Sequence, residues 1–72
     1  MNVELTSVSS SNVAAVGYDV ENETVYVQFL NGSEYIYKGV PQHDFDGLLN
    51  APSVGSYLHR NFKNVYPYER TS

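Results

Sequence analysis

The first half of the chain alternates apolar or aromatic residues with polar ones, and this two-residue period is typical of β-strands. The pattern predicts strands over residues 13–18, 24–30 and 33–38, the second of which is dense in β-branched and aromatic side chains. Turn-forming residues at 6–12 separate a short N-terminal arm from the first strand. An Asn-Gly pair at 31–32 predicts a hairpin between the second and third strands.

Two registers are open to this hairpin. A two-residue loop pairs Leu30 with Ser33 and divides the large apolar side chains between both faces. A three-residue loop, with Gly32 in the left-handed conformation, pairs Val27 with Tyr35 instead. We favour the second register because it gathers the apolar side chains on one face, and burial of that face selects it. The predicted buried face consists of Val25, Val27, Phe29, Tyr35 and Tyr37, with Gln28 and Glu34 outside.

The hydrophobic period changes to a helical one after the third strand. Pro41 suits a helix start, and Phe45, Leu48 and Leu49 follow at helical spacing.

A second helix is predicted from Ser53, a suitable N-cap, to about residue 63, with Val54, Leu58 and Phe62 four residues apart. The predicted fold is therefore α+β: an antiparallel meander of three strands, or four if the arm joins, followed by two short helices packed on one face.

The length of 72 residues allows one domain spanning residues 1–72, with an arm at 1–7 and a core at 8–70. No cysteine is present, so the core must be stable through packing alone, which favours an intracellular protein. The N-terminus lacks the pattern of a secretory signal, and no apolar run reaches the roughly 20 residues of a membrane span. We therefore expect a soluble, cytoplasmic protein without a membrane partner.

The net charge of −4 is unevenly distributed. Residues 1–37 hold five acidic residues and no lysine or arginine, whereas the remainder holds four basic and three acidic residues. Overall acidity argues against indiscriminate binding of polyanions, but the second half can still present a local basic surface.

Motifs spread over most of the chain resemble the KTSC domain family, which is named for a C-terminal extension of lysyl-tRNA synthetase. They lie in order between about residues 8 and 70, and this chain resembles a free-standing, single-domain member. The motifs that carry the resemblance are Ser10-Ser11, Val16-Gly17-Tyr18-Asp19, Val25, Val27, Phe29, Gly32, Tyr35-Ile36-Tyr37, Gly39-Val40-Pro41, Leu48, Ala51, Ser53, Gly55, Tyr57 and Tyr66-Pro67-Tyr68-Glu69-Arg70.

The resemblance implies a fold more than a function. It implies no firmly assigned activity, and it suggests RNA binding through the association with a synthetase.

No catalytic apparatus is predicted. The sequence has no cysteine, no nucleophile elbow and no phosphate-binding glycine motif, so we expect neither an enzyme nor a cofactor. His43, Asp44 and Asp46 lie close together, but a helix does not place all three on one face, and we expect no metal site.

The tyrosines of the predicted core face have two interpretations. Tyr18, Tyr35 and Tyr37 can form a platform on which bases stack, but we favour a structural role beneath the helices. Ser53 and Gly55 at the second helix can hold an anion, although such a glycine more often permits close packing of a helix. We treat Tyr35, Tyr37, Ser53 and Gly55 as structural motif residues.

The C-terminal segment has the composition of an interaction surface. Basic residues alternate there with aromatic rings, as in proteins that recognise single-stranded RNA. The predicted function is a small non-catalytic binding module that binds single-stranded or structured RNA weakly. The alternative is a protein-interaction module that acts through its acidic half or an open sheet edge, as a monomer or weak homodimer. The candidate RNA-binding residues are Tyr57, Arg60, Lys63, Tyr66, Tyr68 and Arg70.

Overall fold

A computed structural model describes residues 3–71, which form a five-stranded antiparallel sheet and two helices. The strands follow one another across the sheet in chain order, and every neighbouring pair is antiparallel. Both helices lie in the chain between the last two strands. The elements are β1 (Thr6–Ser7), β2 (Val13–Asp19), β3 (Thr24–Phe29), β4 (Glu34–Tyr37), α1 (Gln42–Leu49), α2 (Val54–Asn61) and β5 (Tyr68–Arg70). The predicted α+β class is confirmed, and the three predicted strands and two predicted helices occur in the predicted order.

The sheet has more strands than the sequence predicted. Strands β2, β3 and β4 are the three predicted ones, and the added edge strands β1 and β5 contain two and three residues. Thr6 and Ser7, expected among the turn formers, pair with Val16 and Ala15 instead. These segments are too short to show an alternating pattern of their own. Their strand conformation depends on backbone pairing with the edge of the existing sheet.

The hairpin between β3 and β4 has the predicted three-residue loop. The N–H of Phe29 donates to Ser33 O at 2.8 Å, and the N–H of Gly32 donates to Phe29 O at 3.0 Å. Gly32 has a φ of 92°, the left-handed value that this loop requires. Val27 accordingly lies opposite Tyr35, so the favoured register is confirmed. We call the side that carries Val27 and Tyr35 the inner face and the other side the outer face.

Both helices pack on the inner face. Ser53 caps α2 as predicted, since its Oγ accepts from Ser56 N at 3.3 Å, and Pro41 precedes α1 directly. A β-bulge in β2 between Val13 and Ala15 lets Val13 join the core opposite Phe29. The buried core cluster is Val13, Val16, Val25, Val27, Tyr37, Val40, Leu48, Val54, Leu58 and Phe62.

The N-terminal arm crosses the outer face at Gly17. A Cβ at this glycine would lie 2.7 Å from Glu4 O and 2.8 Å from Leu5 Cδ2, so a larger residue would displace the arm. The arm thus adds its strand to its own molecule, while Met1 and Asn2 lie outside the described residues. Within residues 3–71 no helix has the length and apolar character needed to cross a bilayer.

Candidate nucleic-acid interface

The helices leave one end of the inner face uncovered, and an open groove of about 430 Å³ lies there. Its aromatic lining is contributed by β3, β4 and β5, and its polar lining comes from the β3–β4 loop and the segment after α2. The lining residues are Phe29, Asn31, Ser33, Tyr35, Tyr37, Lys63 and Tyr68. We call this feature the aromatic groove.

Strand pairing places the rings of the groove against one another. Tyr68 lies opposite Tyr37 in the sheet, and its ring centroid is 5.7 Å from those of both Tyr37 and Tyr35. Phe29 meets Tyr35 edge to face at 5.5 Å. Tyr37 forms the floor, with 6% of its surface exposed, whereas Tyr68 is 55% exposed. The groove therefore offers a surface of contacting aromatic rings with one ring turned largely to solvent.

Burial and the neighbouring tyrosines raise the pKa of Tyr37, the floor residue of the groove. Burial is the main cause that raises the pKa of Tyr37 above 10.0, and the nearby hydroxyls of Tyr68 and Tyr35 add to the effect. The Tyr37 hydroxyl consequently stays protonated, and the floor of the groove is uncharged.

Two basic side chains border the groove. Lys63 is exposed, and within residues 3–71 its ammonium group forms no ion pair. Arg70 lies opposite Tyr35 on β5, and its Nη2 donates to Ser33 Oγ at 3.4 Å. The rim of the groove therefore carries positive charge next to exposed aromatic carbon, which is the combination that single-stranded nucleic acids bind.

The predicted RNA-binding residues lie in three places: the aromatic groove, the surface of α2 and the core. Lys63, Tyr68 and Arg70 come together at the aromatic groove. Arg60 lies elsewhere, on the surface of α2, beside Tyr57 and Asn61 in a separate shallow depression.

Tyr57 and Tyr66 contact the core. The Tyr66 ring lies 5.3 Å from that of Phe62, and its hydroxyl donates to Asp44 Oδ2 in α1. This hydrogen bond to a carboxylate is the main cause that raises the pKa of Tyr66 to about 12, with burial as a second cause. Tyr57 packs 6.3 Å from Phe62, with its hydroxyl against Gly47. Both rings connect the helices and the segment that follows them.

Asp44, which follows His43 in the chain, has a role in the fold. Asp44 lies in the first turn of α1, where it accepts the Tyr66 hydrogen bond. Within residues 3–71 no three histidine, aspartate or glutamate side chains gather closely enough to hold a metal ion.

Comparison with known proteins assigns the fold to a family. Residues 9–66 match the model of the KTSC domain. The chain belongs to the KTSC domain family. An uncharacterised protein from Stutzerimonas stutzeri is 35% identical over 57 residues, which cover 79% of this chain and 80% of that protein. The solved structure of a KTSC domain protein from Yersinia pestis superposes with a TM-score of 0.91 at 28% identity, covering 99% of this chain and 100% of that one.

This KTSC domain is also similar to part of a larger protein. A lysine–tRNA ligase from Nostoc sp. is 37% identical over 62 residues, which are 86% of this chain. The matched segment is 11% of the ligase.

The structure also shows where the motif residues that carried the resemblance to the KTSC family lie. Tyr37 is buried, and Tyr18 stacks on Phe45 at 5.1 Å while its hydroxyl donates to Val40 O at 2.6 Å. Gly55 permits close packing of α2, because a Cβ there would lie 2.7 Å from Asn12 Oδ1. Tyr35 differs from these residues, since it is half-buried and lines the aromatic groove.

Sequence reasoning missed Phe29, Asn31 and Ser33 as parts of a candidate site. The hairpin register correctly placed Phe29 and Tyr35 on the inner face, and we assumed that the helices would cover the whole of it. Each helix has eight residues and is therefore only about 12 Å long. The shortness of the predicted helices was the available signal that part of the inner face stays open.

Proposed function

We propose that this KTSC domain is a non-catalytic module that binds single-stranded RNA through the aromatic groove. One observation carries the proposal: the half-buried rings of Phe29 and Tyr35 and the exposed ring of Tyr68 lie in one groove with the side chain of Lys63. A planar base can stack on such rings while a cation meets its phosphate, and stacking contributes about 1–3 kcal/mol per base.

The number of cations sets the strength of the proposed binding. Lys63 and Arg70 border the groove, whereas the N-terminal half of the chain carries five acidic residues without a basic one. With at most two phosphate contacts, the slope of log affinity against log salt on single strands is no steeper than about −1.4. The proposed complex is weak, has a short footprint and depends mainly on stacking.

The relatives support an RNA partner by association. A lysine–tRNA ligase carries a segment similar to this domain, and such a ligase acts on a transfer RNA. A cytoplasmic location agrees with this proposal, because that is where such RNA partners occur.

A titration of fluorescently labelled single-stranded RNA at low salt tests the proposal. We expect Tyr68→Ala to lower the affinity roughly 5- to 150-fold, because it removes the most exposed stacking ring. Lys63→Gln should lower the affinity more than Arg60→Gln, which is the matched control because it removes an exposed cation outside the groove lining.

Equal effects of the Lys63 and Arg60 substitutions would contradict the location of the proposed site. Absence of binding by the parent protein would contradict RNA binding itself. The protein-interaction module would then be the better account, with the short edge strands β1 and β5 as its candidate docking positions.

A further inference from the structure

Asn31 holds a fixed position at the rim of the aromatic groove. It is the middle residue of the three-residue loop between β3 and β4, which the hydrogen bond from Gly32 N to Phe29 O closes at 3.0 Å. Asn31 Oδ1 accepts a further hydrogen bond from Ser33 N at 2.9 Å. This bond distinguishes the two ends of the side-chain amide, because the oxygen faces the backbone donor and the NH2 group is left for a ligand.

The remaining polar groups of the groove also favour an acceptor on the ligand. The Lys63 ammonium group has three donors and no acceptor. Ser33 Oγ already accepts from Arg70 at 3.4 Å, which occupies one of its two lone pairs and leaves its hydroxyl hydrogen available to a ligand. Within residues 3–71, no aspartate or glutamate lines the groove. The tyrosine hydroxyls donate or accept equally well and therefore do not discriminate between ligands.

A base stacked in the groove would meet these donors along its edge. Uracil, like thymine, presents the acceptor O4 where cytosine presents the N4 amino group. Guanine presents the acceptor O6 where adenine presents the N6 amino group. Donors at the rim can form hydrogen bonds to the keto oxygen of uracil or guanine. The amino group of cytosine or adenine would instead face another donor and form no hydrogen bond there.

We propose that the groove selects keto bases, uracil and guanine, over amino bases, and that Asn31 determines this specificity through its NH2 group. This inference rests on the proposed binding of single-stranded RNA to the groove. Asn31 is a specificity-determining residue here, while the rings supply affinity for any base.

The substitution Asn31→Asp tests the inference with little change of shape. Aspartate keeps an oxygen for the Ser33 N–H and replaces the NH2 donor with an acceptor, and it is as suitable as asparagine in such a turn. The affinities of the parent and the variant are measured for oligouridine and oligocytidine of equal length at one salt concentration. Both strands carry the same backbone charge, so the added negative charge cancels in the ratio of their affinities.

The parent should bind oligouridine roughly two- to tenfold more tightly than oligocytidine, as one hydrogen bond gained or lost implies. Asn31→Asp should abolish or reverse this preference. Asn64→Asp is the matched control, because it makes the same chemical change at an exposed residue outside the groove lining and should leave the ratio unchanged.

The outcomes separate the two proposals. If the parent and Asn31→Asp bind both strands with the same ratio, the specificity inference is wrong while RNA binding stands. If the parent binds neither strand, both the inference and the proposed function are wrong.

Discussion

The helix-covered part of the inner face and the aromatic groove contain the same kinds of side chain in different surroundings. In the covered part, two tyrosine hydroxyls have fixed partners: Tyr18 donates to Val40 O at 2.6 Å, and Tyr66 donates to Asp44. In the groove, the hydroxyls of Tyr35 and Tyr68 form no hydrogen bond within residues 3–71. The number of aromatic residues therefore does not by itself identify an interaction surface in this domain.

The difference between the two parts arises from coverage by the helices. Phe62 follows α2 and is fully buried, with the rings of Tyr37, Tyr57 and Tyr66 around it. Tyr68 follows it by six positions but lies on an edge strand, where its ring has neighbours on the sheet and solvent above. Rings of the first kind stabilise the fold, and rings of the second kind are available to a ligand.

Phe62→Ala should have the largest effect on stability. The substitution removes a fully buried ring from the centre of the covered part, which typically costs about 3–5 kcal/mol. A domain of this size has a stability of only about 5 kcal/mol or slightly more, so the variant should be largely unfolded. Thermal denaturation followed by circular dichroism measures the effect. Phe29→Ala is the control from the groove, and a loss as large as that of Phe62→Ala would remove the distinction between the two parts.

Tyr66→Phe should have an intermediate effect, because it deletes a hydrogen bond to a carboxylate and keeps the ring. Such a bond contributes about 1.5–3 kcal/mol. Urea denaturation of the variant and of the parent at neutral pH measures the difference.

The same bond predicts a dependence on alkaline pH. The pKa of Tyr66 is raised from 10.0 to about 12 in the folded protein, so its contribution is fully present below pH 10 and is lost as the pH rises through 12. The parent should therefore lose more stability over this range than Tyr66→Phe does. If the free energy of unfolding falls equally with pH in both proteins, the bond to Asp44 does not link the titration of Tyr66 to folding.

Tyr68→Ala should have the smallest effect on stability, about 1 kcal/mol or less. Its side chain is 55% exposed, and the backbone pairing of β5 does not depend on it. The same variant is expected to lose most of its affinity for RNA. Measuring its stability as well as its RNA affinity therefore distinguishes a loss of binding from a loss of folding. A loss comparable to that of Phe62→Ala would mean that the groove belongs to the core.

The sequence by itself determined the central hairpin and the two helices. The spacing of Val25 and Val27 against Tyr35 and Tyr37 selected the register, because a one-residue slip would have exposed half of these side chains. Ser53 marked the start of α2 because a hydroxyl at that position satisfies a backbone N–H of the first turn. These features depend on interactions between residues close in the chain or in adjacent strands, and a sequence pattern records such interactions directly.

The tertiary structure alone decided which aromatic and basic residues meet. Lys63, Tyr68 and Arg70 were predicted as part of a longer series. Pairing of β5 with β4 brings Tyr68 and Arg70 to the groove, and the segment after α2 brings Lys63 there, whereas Arg60 lies in a separate depression. The three-residue β5 carries no sequence period, so its strand conformation depends on hydrogen bonds to an edge that exists only after the sheet has formed. The extent of helix coverage likewise depends on how two eight-residue helices pack across the sheet, and no local pattern in the sequence records that arrangement.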